Sequence, residues 1–351
     1  MKFVHTADIH LGVNPESGKN QRANRAREIW DSFESLLKVC ENEAVDLLMV
    51  AGDLFHRQPL MRELKEVNYL FSQLSKTQVV LIVGNHDYLK KDSYYRTFQW
   101  AENVHALLDR AIDYVEFPEF QTAVYGHSYH TKEITEKTYR YAKAEQRQPY
   151  EILMLHGGDE KHVPIQKEEL LSLGYDYIAL GHIHKPNEVV PGKIIYSGAL
   201  EPIDKNDTGA HGYVIGEITE QGCRTEFVPF ASREYKHLTV TVSKKMSGFA
   251  LKEEIKKVIE ENGCQNIYKI QLEGFHDPDV IFDFTGFDVY GNVVEFVDST
   301  KPAYDFEKLK KQNADNILGY LIDEWKKCDE DSVEYRALCE GVQALMETRR
   351  T

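Results

Sequence analysis

Five short apolar runs in the first half of the chain each break off into a cluster of Asp, Asn and His, and no other feature constrains the fold as tightly. Phe3 to Thr6 leads into Asp8-Ile9-His10, and Leu47 to Ala51 into Gly52-Asp53-Leu54-Phe55-His56. Val79 to Val83 leads into Gly84-Asn85-His86-Asp87, Ile152 to Leu155 into His156-Gly157-Gly158, and Tyr177 to Leu180 into Gly181-His182-Ile183-His184. Runs of this length, aliphatic or β-branched and closed by Gly, Asp, Asn or His, are strands. Between the first two, Ile29, Phe33, Leu36, Leu37 and Cys40 recur at helical spacing, and between the next two so do Leu64, Val67, Leu70, Phe71 and Leu74. Further strand-like runs are Ala123 to Tyr125, Ile194 to Tyr196 and Tyr213 to Ile218. Strands apolar on both faces, alternating with amphipathic helices, predict an α/β fold: a layered α/β/α domain over residues 1–231.

The pattern changes around Ser232 to Tyr235. Leu238, Val240 and Val242 alternate with polar residues, Leu251, Ile255, Val258 and Ile259 form a helical stripe stopped by Gly263, and Ile267 to Leu272 reads as another strand. Residues 232–300 are therefore expected to form a small α+β domain. From 301 to 351 the signal is helical. Phe306 and Leu309, then Ile317, Leu318, Leu321, Ile322 and Trp325, share one face, and Leu338, Val342, Leu345 and Met346 another beyond an acidic turn. Two such helices predict a helical hairpin, which either packs on its own chain or docks a partner's helices. A chain of 351 residues exceeds what one hydrophobic core usually fills, in keeping with this division.

The net charge of −15 argues against a protein that holds nucleic acid through a general basic surface. Cys40, Cys223, Cys264, Cys328 and Cys339 are scattered and never in Cys-x-x-Cys spacing, which predicts a reducing, cytoplasmic setting without structural zinc. Asp8 and His10 interrupt the N-terminus before an apolar segment long enough for a signal peptide, and nothing approaches the ~18 apolar residues of a membrane span.

In open α/β sheets, ligands sit beyond the carboxyl ends of the strands, so five polar clusters leaving strand ends are expected to converge. Imidazoles suit transition metals, and carboxylates with an Asn carbonyl favour the harder ones, manganese or iron first. Seven candidate ligands are too many for one tetrahedral ion. They suit two ions ~3.5–4 Å apart that share a carboxylate and hold a hydroxide between them. No protein nucleophile is then needed, and neither a Gly-x-Ser-x-Gly elbow nor a Gly-rich phosphate loop occurs. Each motif alone has a blander reading, since Asp and His also end strands for turn reasons. All five in order outweigh it. His127 and His130 are candidates for lining the site, whereas His5, His105, His162, His211, His237 and His276 read as structural or surface residues.

Asp-x-His, Gly-Asp-x-x-His, Gly-Asn-His-Asp, a lone His-Gly and Gly-His-x-His, in this order over residues 8 to 184, resemble the calcineurin-like metallophosphoesterase superfamily. Within it, Lys2 to Gly12, the Gly52 to His56 segment and Tyr196-Ser197-Gly198-Ala199-Leu200-Glu201 are similar to SbcD-type DNA-repair nucleases. The resemblance implies that Asp8, His10 and His184 hold one ion, that Asn85, His156 and His182 hold the other, and that Asp53 bridges them. It implies that His86 protonates the leaving oxygen or stabilises its charge, with Asp87 orienting that imidazole and His56 as a second substrate contact. It also implies that the 232–300 domain caps the site and admits DNA ends, that the C-terminal helices bind an SMC-type ATPase such as SbcC, and that the phosphoesterase domain dimerises.

For DNA itself the sequence offers Lys19 and Arg22, in a local basic stretch beside His10, as phosphate contacts; Arg25 and Arg27 fit better on the solvated face of the following helix. The leading expectation is a two-metal DNA nuclease acting as an exonuclease or endonuclease in repair. A nucleotide or small-molecule phosphodiesterase or phosphatase would use the same site, and a DNA-end-binding scaffold would leave an intact ligand set idle.

Overall fold

In the computed structural model, residues 1–15, 22–325, 327–329 and 332–348 are described. The chain divides into two compact units, Met1–Lys236 and His237–Thr351.

The first unit contains β1 (Lys2–Thr6), α1 (Arg22–Asn42), β2 (Leu47–Ala51), α2 (Met61–Ser72), β3 (Gln78–Ile82), β4 (Val104–Ala106), β5 (Asp113–Phe117), β6 (Thr122–Gly126), β7 (Tyr150–His156), α3 (Lys167–Leu171), β8 (Tyr177–Gly181), β9 (Asn187–Val190), β10 (Ile194–Tyr196), β11 (Gly212–Thr219) and β12 (Gly222–Pro229). They form two six-stranded sheets, ordered β12-β11-β1-β2-β3-β4 and β5-β6-β7-β8-β10-β9. Within the first, β1 to β4 are parallel. Within the second, β6, β7, β8 and β10 are parallel, with β5 and β9 antiparallel at the edges.

The two-residue period of a strand sorts the core. Phe3, Leu47, Met49, Ala51, Val80 and Ile82 pack with Val124, Ile152, Met154, Tyr177 and Ala179 of the second sheet. The alternate residues Val4, Leu48, Val50, Val79 and Leu81 face outward, onto Ile29, Phe33 and Leu36 of α1 and Leu64, Val67 and Phe71 of α2. On the far side Leu153, Leu155, Ile178 and Leu180 pack with Leu170 of α3 and with Tyr139 and Tyr175. The α/β layering is as expected, but the middle layer is two sheets thick. A strand buried on both faces reads as a continuous apolar run whether helices or a second sheet cover it.

The second unit contains β13 (Tyr235–Val242), α4 (Gly248–Asn262), β14 (Ile267–His276), β15 (Val293–Asp298), β16 (Lys301–Pro302), α5 (Phe306–Gln312), α6 (Ile317–Trp325) and α7 (Val333–Glu347). Its sheet runs β13-β14-β15, with β16 also pairing with β14. Leu251, Ile255 and Ile259 of α4 pack on Tyr268, Ile270 and Leu272 of β14. Ser247 caps α4 by accepting from the Ala250 amide. The helical segment has three helices rather than two, because the Asn316 side chain accepts from the Leu318 and Gly319 amides and starts a new helix. Leu318 and Ile322 of α6 bury against Leu338 and Val342 of α7, so this stripe packs on its own chain. Among the described residues no helix is long and apolar enough to cross a membrane.

Candidate active site

The carboxyl ends of β1, β2 and β3 in one sheet and of β7 and β8 in the other deliver the five clusters to one place. Beyond the sheet, the first two loops are stitched together: the Asp8 amide donates to the Gly52 carbonyl (3.1 Å), His10 to Asp53 (3.0 Å), Leu11 to Leu54 (2.9 Å) and His56 to Leu11 (3.1 Å). This register turns Asp8, His10 and Asp53 inward at a cost in backbone strain, with φ of 51°, 53° and 49°; His182 joins them at 92°. These are four of the eight described non-glycine residues with positive φ, each costing on the order of 1–3 kcal/mol. Gly84 has to lack a side chain, since a Cβ there would lie 2.2 Å from Asp53 Oδ1.

The resulting cluster is dense and dry, with Asp8, His10 and His156 fully buried. His10 Nε2 lies 3.1 Å from His184 Nε2 and 3.9 Å from Asp8 Oδ1. Asp53 Oδ2 lies 3.3 Å from His156 Nε2 and 4.0 Å from His10 Nε2. Asn85 Oδ1 sits between His156 Nε2 (2.9 Å) and His182 Nδ1 (3.0 Å). All seven expected ligands are thus brought together.

Each outer imidazole is set by an acceptor behind it. His156 Nδ1 donates to the Ala51 carbonyl at 2.9 Å, so Nε2 is the free nitrogen facing Asp53 and Asn85. His184 Nδ1 donates to Asp207 at 3.0 Å, and His182 Nε2 donates to Asp159 at 2.8 Å. Neither aspartate shows in the sequence pattern. His162, expected to be structural or surface, shares Asp159 and lies with its ring 4.5 Å from that of His182.

Electrostatics show how the charges of the cluster compete. Burial alone would push the Asp53 carboxyl up, yet His156 and then His10 and His86 hold it well below the usual carboxylate range. Burial disfavours charge on His156, but Asp53 overcomes it and raises the imidazole to about 9. The same contest at His184, with Asp207 and Asp8 opposing burial, also ends at about 9. Burial prevails at His10, which falls well below its ordinary value, and at His182, lowered to about 4 with help from His156. Burial likewise raises Asp8, and its Oδ1 has no hydrogen-bond partner. Carboxylates, a carbonyl oxygen and imidazole nitrogens that compete for protons at close range fit divalent cations, which would replace those protons. Asp8, His10 and His184 form one group able to hold an ion, and Asp8, Asp53 and His156 another.

His86 stands at the edge, half-buried, its Nδ1 donating to the His56 carbonyl at 3.2 Å and its ring 4.8 Å from those of His10 and His56. Asp87 does not orient it. That carboxylate turns into the core to accept from the Phe55 and Gly84 amides and the Tyr95 hydroxyl, and burial, with Asp53, raises it to about 7. His130 donates to the Leu108 carbonyl and His127 meets the Thr138 hydroxyl, so both are engaged with neighbouring loops. Lys19 lies outside the described residues; Arg22 opens α1, and only its backbone is described. Arg27 is exposed and pairs with Asp31, as a solvated helix face requires. Arg25 is instead fully buried, bound to Glu201, Glu28 and the Pro202 carbonyl.

Comparison with known proteins gives the family and its relatives. A family model described as calcineurin-like phosphoesterase matches residues 1–186. The chain is 27% identical over 299 residues to the uncharacterized metallophosphoesterase YhaO of Bacillus subtilis, covering 78% of this chain and 72% of that one. It is 28% identical over 218 residues to the DNA double-strand break repair protein Mre11 of Methanocaldococcus jannaschii, covering 59% of this chain but only 58% of that relative's length. Among solved structures, a dimetal phosphatase from Danio rerio matches 66% of this chain and 99% of its own, with a TM-score of 0.42 and 13% identity.

Proposed function

The chain belongs to the calcineurin-like phosphoesterase family, and from that membership and its site we propose that it is a two-metal DNA nuclease acting in repair. The observation that carries the reading is the convergence of Asp8, His10, Asp53, Asn85, His156, His182 and His184 with His86 beside them. In this reading Asp8, His10 and His184 hold one divalent ion, Asn85, His156 and His182 the other, and Asp53 serves both, with manganese the first choice and iron the second. When bound, such ions polarise a phosphoryl oxygen and lower the pKa of water.

The protein's own groups do the rest. Asp53 and Asp8 would serve the ions with the oxygens that the His86 and His182 amides leave free, keeping the site anionic enough to hold them and leaving no side chain as nucleophile. His86, its Nδ1 hydrogen spent on the His56 carbonyl, presents Nε2 to the scissile phosphate and donates a proton to the leaving oxygen or stabilises its charge. His56, half-buried and 4.8 Å from that ring, is the second substrate contact.

DNA as substrate draws support from the Mre11 relatives, whose names carry double-strand break repair, and from the motif wording at Lys2 to Gly12 and Gly52 to His56. The same reading assigns phosphate contacts to Lys19 and Arg22. It gives the 232–300 segment the admission of DNA ends, the 301–351 helices an SMC-type ATPase partner, and the phosphoesterase domain a homodimer contact. An acidic chain, net −15, favours a nucleotide or small phosphodiester substrate as the second reading. The test is manganese-dependent digestion of end-labelled single- and double-stranded DNA beside bis-p-nitrophenyl phosphate, with His86→Ala as control. DNA cleavage lost in the variant supports the nuclease. Hydrolysis of the small ester alone moves the assignment to the second reading, and no hydrolysis of either substrate moves it to an end-binding scaffold.

A further inference from the structure

We propose that Asp159 is a positioning residue that selects which ring nitrogen His182 offers to the second ion, with His162 holding it in place. The inference rests on the reading that Asn85, His156 and His182 form that ion's site. His156 and His184 each present Nε2, because their Nδ1 hydrogens are spent on the Ala51 carbonyl and Asp207. His182 is reversed. Its Nε2 meets Asp159 Oδ2 at 2.8 Å, which leaves Nδ1 as the lone-pair nitrogen 3.0 Å from Asn85 Oδ1. A metal-bound imidazole takes its tautomer from the partner of its other nitrogen, so the carboxylate decides the coordinating atom.

The loop is built to hold that carboxylate. Asp159 Oδ1 accepts from the Lys161 amide (2.7 Å) and the His162 amide (3.0 Å), and both oxygens lie 2.9 Å from His162 Nδ1. The Gly158 amide donates to the His162 carbonyl (2.7 Å), and a Cβ on Gly157 would lie 2.4 Å from that same oxygen. Val163, fully buried and β-branched, is forced to φ 39° with its amide donating to the Ile134 carbonyl at 2.7 Å. A β-branched residue held in left-handed backbone marks a turn fixed by its surroundings rather than by its own preference.

The plainer role for Asp159 is a turn cap, and two substitutions separate the roles. Asp159→Asn keeps an oxygen for the Lys161 and His162 amides but turns an NH2 toward His182. That pulls the imidazole into the tautomer whose Nδ1 carries hydrogen and faces the ion. Asp159→Ala removes the cap but lets water accept from Nε2. Positioning therefore predicts that Asn weakens the second ion more than Ala does, whereas a turn cap predicts the reverse.

Mn2+ titration by calorimetry, the spin-coupled signal of a manganese pair by electron paramagnetic resonance, and the melting temperature of metal-free protein read this out. The expected result for Asp159→Asn is one site unchanged, the second weakened about 10- to 100-fold, a lost pair signal and an unaltered metal-free melting temperature. Wild-type affinity at both sites in Asp159→Asn would overturn the inference. So would greater weakening in Asp159→Ala that tracks a lowered melting temperature. Fewer than two manganese ions on the wild-type chain would instead overturn the two-ion reading on which the inference stands.

Discussion

The two units of this chain are built on opposite terms. In Met1–Lys236, strands end in loops with charged side chains fully buried, and all eight described non-glycine residues of positive φ lie there. Among the described residues of His237–Thr351 the buried polar ones are Asn266, Asn292 and Asn313, each donating to a backbone carbonyl, and no group of metal-competent residues occurs. One unit spends stability on holding like charges close in a dry place; the other buries no charged side chain among its described residues. Strain and buried charge gather where chemistry is proposed, as expected when the rest of a fold supports a site that breaks local rules.

Substitutions can break that contrast. Asp53→Ala is expected to have the largest effect, abolishing turnover and emptying or scrambling both ion sites by elemental analysis; unchanged metal content would remove the bridge. His86→Ala should lower turnover by about 10²–10⁴-fold, the range of a general acid, with both ions retained. Metal loss in that variant would make His86 a ligand. In the second unit the expected costs are in stability alone. Ile322→Ala should destabilise the α5–α7 cluster by about 2–5 kcal/mol in a denaturant titration while manganese stoichiometry stays unchanged. Ser247→Ala should cost only about 1 kcal/mol through the lost cap of α4. A change in metal content in either would show the units to be coupled.

The strands of the first unit and the polar clusters at their ends were legible because burial on both faces leaves continuous apolar runs, and because glycine and polar residues end them abruptly. The hydrogen-bond partners of those clusters were not. Asp159 and Asp207 reach His182 and His184 through turns with no period, and Asp87 finds Tyr95 and the Gly84 amide rather than the neighbouring imidazole. Arg25 looked like a surface residue because its partner Glu201 lies 176 positions away. The break between α5 and α6 depends on the side chain of Asn316 folding back on its own helix, which hydrophobic spacing does not register.

The bond from the His182 amide to Asp8 Oδ2, at 2.8 Å, joins residues 174 positions apart. Closing a loop of that span costs chain entropy before any contact rewards it. A nascent chain long enough to carry Asp8, His10, Asp53 and Asn85 still lacks both imidazoles of β8's terminal loop. In the proposed two-ion reading, neither ion has its full set of ligands until the two sheets have met, so complete metal loading would report a finished fold.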